Sequence, residues 1–89
     1  MNAETIDQVA KRALKLIRDG HRYNPAVMLA VYEVHGTADD FLEVLFVLRR
    51  LVDKIPALWF VARKMARAMD QPSEQEFQTC FPEIVHAVE

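Results

Sequence analysis

A metal-binding or nucleophilic role in this 89-residue chain would fall first to its single cysteine, Cys80, and its three histidines, His21, His35 and His86. Zinc sites are built from paired sulfur and nitrogen ligands a few residues apart. Here each histidine sits on a different segment and Cys80 has no second cysteine, so no metal site and no cofactor is expected. A catalytic thiol needs its thiolate stabilised by nearby positive charge. Cys80 instead lies between Phe77 and Phe81 on an apolar face, where burial favours the neutral thiol and leaves it inert. The acids that could pair for general acid–base work are Asp39, Asp40 and Glu43, and they cluster at a helix start, where capping and solvation account for them. With only 2 glycines there is no phosphate-cradling loop. The chain is therefore expected not to be an enzyme.

Binding chemistry is more promising. Residues 56–69 carry Arg63, Lys64 and Arg67 and no acid, whereas residues 70–89 carry Asp70, Glu74, Glu76, Glu83 and Glu89 and no lysine or arginine. Two readings follow. Either the acidic tail folds back onto the basic helix, or the basic face binds an acidic partner. On that helix Phe60 projects at nearly the same angle as Arg67, flanked by Arg63 and Lys64, with Trp59 at the boundary of the face. Aromatic and arginine side chains are enriched at the centres of protein interfaces, and the same combination can stack on single-stranded bases. Against this stands the reading that Phe60 simply packs inside the bundle. The polar side of the first helix (Lys11, Arg12, Lys15, Arg18) is relieved by Asp7 and Asp19 and reads as a solvated face. A helix-turn-helix outline around Gly36 fails as a DNA reader, because Asp39 and Asp40 in the first turn of its second helix would face phosphates.

The elements that must position these residues are all helical. Ile6, Val9, Ala10, Ala13, Leu14, Leu16 and Ile17 fall within one arc of about 160° at helical spacing, and Gly20 supplies a left-handed stop. Asn24-Pro25 reads as a cap and a proline at the first helical position. It opens a helix apolar on all sides (Ala26 to Tyr32) that runs to about His35 and ends at Gly36, with the His35 ring near free carbonyls. Thr37 caps a third helix, with Asp40 completing a capping box. Its run Val44 to Leu48 holds no polar residue, so it should be the second core element. Pro56 biases Ile55 away from helical angles, which breaks or sharply bends the chain at Asp53–Ile55. A fourth helix then covers about Pro56 to Met69. Ser73 and Glu76 form the capping box of a last helix, whose Phe77, Cys80, Phe81, Ile84, Val85 and Val88 share a face; it either kinks at Pro82 or restarts there.

The expected architecture is a single all-α domain over residues 1–89, a small compact bundle of four to five short helices. The 52% hydrophobic content exceeds what so short a chain needs for a core, so homodimerisation is a natural use of the surplus. A net charge of −2 gives no general reason for polyanion binding. The lone cysteine fits a reducing compartment, the start Met1-Asn2-Ala3-Glu4 lacks signal-peptide features, and no apolar run is long enough to cross a membrane. These point to the cytoplasm. The functional expectation is a non-catalytic adaptor, regulator or inhibitor that docks on a larger protein through Trp59, Phe60, Arg63, Lys64 and Arg67. The alternative is a nucleic-acid-binding regulator using the same face.

Overall fold

The first helix, α1 (Ala3–Arg18), is opened by Asn2, whose Oδ1 accepts a hydrogen bond from the Thr5 N–H at 2.8 Å. It closes in a Schellman motif: Gly20 N–H donates to the Ile17 carbonyl and His21 N–H to the Leu16 carbonyl, both at 3.0 Å. Gly20 takes φ 109°, which a side chain would resist. The apolar arc turns inward as its spacing requires. Ile6, Val9, Ala10, Ala13 and Leu16 are buried, with Leu14 and Ile17 packed partly against the same core.

The next helix, α2 (Tyr23–Glu33), starts two residues earlier than Asn24-Pro25 suggests. Its N-cap is Arg22, which offers no side-chain cap, and Pro25 sits two positions further inside the first turn than expected. Nothing is lost there, because the first N–H groups of a helix have no intrahelical acceptor. Burial of Tyr23 holds this end in place.

The other end of α2 also differs from expectation. Val34 is the C-cap, and His35, not Gly36, takes the left-handed conformation at φ 57°. His35 N–H donates to the Tyr32 carbonyl at 2.8 Å and Gly36 N–H to the Val31 carbonyl at 2.9 Å, a second Schellman motif. His35 thus serves through its backbone. Gly36 is needed for space: a Cβ there would lie 2.5 Å from Val31 Cγ1 and 2.7 Å from Met1 Cε.

Thr37 caps α3 (Ala38–Asp53) with the full box. Asp40 N–H donates to Thr37 Oγ1 at 3.4 Å, and Thr37 N–H donates to Asp40 Oδ2 at 2.8 Å. In this computed structural model the chain continues through α4 (Trp59–Arg67) to α5 (Glu74–Val88). The structure describes residues 1–54, 59–67 and 71–88, and the side chains of Trp59, Phe60, Val61, Lys64, Ala87 and Val88 lie outside the description. The ends expected for the fourth helix, Pro56 and Met69, are likewise outside the described residues. Among the described residues there are five helices and no strand.

Ser73 Oγ accepts from the Glu76 N–H at 3.2 Å and starts α5, which runs unbroken across Pro82. Proline removes the bond to the Gln78 carbonyl, and both residues are exposed, on the side of the helix that faces water.

Both α2 and α3 touch every other helix, whereas among the described residues α1 packs on these two alone. They are the central pair, as their apolar composition suggests. Among the described residues the largest fully buried side chains are Phe41, Leu45 and Leu48 of α3, Met65 of α4 and Phe77 of α5. Each contributes roughly 1.5–3 kcal/mol by leaving water. Phe41 and Phe77 meet as a tilted aromatic pair with centroids 6.5 Å apart.

Candidate functional site

The acidic C-terminal helix goes to the start of α3. Glu74 Oε2 accepts the Ala38 N–H at 2.9 Å, and its Oε1 accepts from Gln78 Nε2 at 3.1 Å. These two bonds, the Ala38 one foremost, hold the Glu74 carboxyl below its ordinary value, because the anion is the better acceptor. Gln71 Nε2 bonds Asp39 Oδ1 beside it. The tail therefore adds a further cap to α3 at the positive end of its dipole. Among the described residues, no Cα of α5 comes within 8 Å of one in α4. The described part of the tail docks onto α2 and α3; Asp70, Glu89 and the Lys64 side chain, which also enter the expected folding-back onto the basic helix, lie outside the described residues.

Of the five residues singled out on the fourth helix, Arg63 and Arg67 are exposed. Trp59, Phe60 and Lys64 lie in α4, but their side chains are outside the described residues. On α1, Lys11 pairs with Asp7 at 3.0 Å, and Arg12 reaches across to Glu33 of α2 at 3.3 Å. That face is solvated, with one ion pair bracing two helices.

Among the described residues no group of three or more histidine, cysteine or acidic side chains converges in a way that could hold a metal ion. Cys80 is only half-buried, less enclosed than its aromatic flanks imply; it lines a shallow recess with Pro25, Met28 and Ile84. The Tyr23 hydroxyl is buried without a hydrogen-bond partner among the described residues, and burial pushes its pKa upward.

The feature that sequence reasoning missed is Phe46. It sits in the all-apolar stretch Val44 to Leu48, yet only Val44, Leu45 and Leu48 are buried, while Phe46 is 47% exposed. At about 100° per residue the reason is geometric. Phe46 falls within an arc of about 100° that also holds Asp39, Glu43, Val47, Arg50 and Lys54, opposite the buried stripe. Tracing the charges rather than the apolar run would have found it. Other large apolar side chains are exposed too, but Tyr32 is stacked on Phe81 and Val34 belongs to the C-cap of α2.

Phe46 borders a groove of about 550 Å³ between α1 and α3. Ala3 and Ile6 form one wall; Phe46, Val47 and Leu51 form the other. Asp7 and Glu43 stand on the rim with Arg50 and Lys54. Signs are segregated along α3: Asp39 and Glu43 are four residues apart, as are Arg50 and Lys54. Such like-charge spacing costs a helix roughly 0.2–0.5 kcal/mol per pair. The helix dipole compensates the charges in the terminal turns, but it gives no reason for Glu43 in the second turn or for an exposed phenylalanine between the two zones. Glu43, Arg50 and Lys54 form no ion pair within the chain among the described residues.

No protein-family model, no curated protein and no solved structure matches this chain. Among the described residues no helix is long and apolar enough to cross a membrane.

Proposed function

We propose that this protein is a non-catalytic helical binding module, acting as an adaptor, regulator or inhibitor through protein–protein association. The observation that carries this reading is Phe46, 47% exposed beside an apolar groove with charges on its rim. A phenylalanine flanked by pairable charges is how interface centres are built. Nothing in the packing of α3 calls for an aromatic ring on its outer face. The outer face of α4 is proposed as a second contact, for a larger protein partner, with Arg63 and Arg67 exposed and Trp59, Phe60 and Lys64 completing it. The half-buried single thiol suits the reducing cytoplasm.

The test of the groove is a photo-crosslinking amino acid placed at position 46 in cells. A discrete protein adduct, lost when the probe is moved to the buried position 48, supports an association surface. No adduct at any expression level would refute it. For α4, fluorescence polarisation with single- and double-stranded oligonucleotides at low and physiological salt separates the classes. Salt-steep binding lost in Arg63→Glu/Arg67→Glu protein would replace the protein partner with a nucleic acid.

A further inference from the structure

We infer that the occupant of the α1/α3 groove is a second copy of this chain, with the two α3 helices antiparallel about a two-fold axis between Phe46 and Val47. This rests on reading the groove as an association surface and adds the identity of what fills it. The argument is charge complementarity. The outer face of α3 carries acids in its N-terminal half (Asp39, Glu43) and bases in its C-terminal half (Arg50, Lys54), all exposed, with Phe46 and Val47 between them. In an antiparallel pair centred there, Glu43 stands opposite Arg50 of the second copy, and Asp39 stands opposite Lys54 of the second copy. Phe46 and Val47 of the two copies meet at the axis. Two-fold symmetry makes every such contact twice.

A parallel arrangement would set acid against acid and base against base, so the pattern selects one orientation. The like-charge spacing within each helix becomes opposite-charge pairing between helices. Among the described residues Glu43, Arg50 and Lys54 have no ion pair inside the chain to give up on entering that pairing. Asp39 keeps its Gln71 bond on Oδ1 and offers Oδ2. The apolar walls Ala3 and Ile6 flank the seam, so each α1 lies along the outside of a four-helix layer.

Sedimentation velocity of the purified protein, from low to several hundred micromolar, tests the proposal. The mass should rise from 10.3 kDa toward twice that value. Phe46→Asp should weaken the dimer about 30-fold or more while leaving the helical circular dichroism unchanged. Glu43→Lys should weaken it roughly tenfold. The double exchange Glu43→Lys/Arg50→Glu should restore it, a result that only the antiparallel register produces. A wild-type monomer throughout the range overturns the inference. So does a dimer indifferent to Phe46→Asp, or a double exchange as weak as the single. The crosslink at position 46 separates the two failures. A monomer that still gives an adduct with a different protein refutes the second copy alone, whereas a monomer with no adduct refutes the groove as well.

Discussion

Exchanging the roles of His35 and Gly36 gives the sharpest check on the α2–α3 junction. His35 holds φ 57°, a conformation that costs an L-residue about 1–2 kcal/mol. Glycine removes that cost but loses roughly 0.5–1 kcal/mol through its freer unfolded chain. His35→Gly should therefore stabilise the protein by about 0.5–1 kcal/mol. Gly36 is not left-handed, so relief from strain does not enter its account. A methyl group there would lie 2.5 Å from Cγ1 of Val31, which is 0% exposed, and 3.0 Å from the Val31 carbonyl oxygen. Met1 Cε can swing away, but a valine in a helix has one dominant rotamer and little room to yield. Overpacking of this kind costs about 1–3 kcal/mol, offset by about 0.4–1 kcal/mol from the stiffer unfolded chain. Gly36→Ala should thus destabilise by about 1–2 kcal/mol. At roughly 4–8 °C per kcal/mol for a domain of this size, the two variants should melt on opposite sides of wild type. Urea unfolding followed by circular dichroism, at one fixed protein concentration to hold association constant, measures both. A lower midpoint for His35→Gly, or a higher one for Gly36→Ala, would refute the assignment of strain to one residue and crowding to the other.

Two further substitutions probe buried and capping polar groups. Tyr23→Phe deletes a hydroxyl that is buried without a partner among the described residues, so stability should stay level or rise by about 1 kcal/mol; a clear loss in chemical denaturation would reveal a bond to that oxygen. Glu74→Gln tests linkage. The folded-state pKa of Glu74 is lowered, so its stabilisation is complete above the unfolded value of 4.5 and disappears as pH falls through the folded value. The variant should be the weaker protein at neutral pH and match wild type in strong acid, and a pH-independent gap would contradict the carboxylate's role.

Helix ends with side-chain caps are legible in the sequence, because Thr37, Asp40 and Ser73 act within four residues and need no tertiary context. The same holds for Gly20. The start of α2 is not, since no side chain caps it and the burial of Tyr23, a long-range effect, decides where it begins. Its end misleads because two adjacent residues could take the left-handed turn, and steric room beside Val31 settles which of them does. Pro82 leaves kink and continuity equally open until the exposure of its turn is known. The destination of the acidic tail was invisible, since the tie between Glu74 and Ala38 spans 36 residues. For the binding surface, the weight of the apolar run Val44 to Leu48 hid Phe46, although helical angles alone place that ring among the charges.

The docking of α5 on the start of α3 has a consequence for the nascent chain. Helices α1 to α3 are neighbours in sequence and can assemble as soon as they emerge, but Phe41 waits for Phe77 to cover it. At 5–20 residues per second, synthesis of the intervening stretch takes roughly 2–7 s. For that interval the newborn protein presents an uncovered aromatic ring to the cell, a window in which a chaperone could bind and which a slow-translating codon downstream of α3 would lengthen.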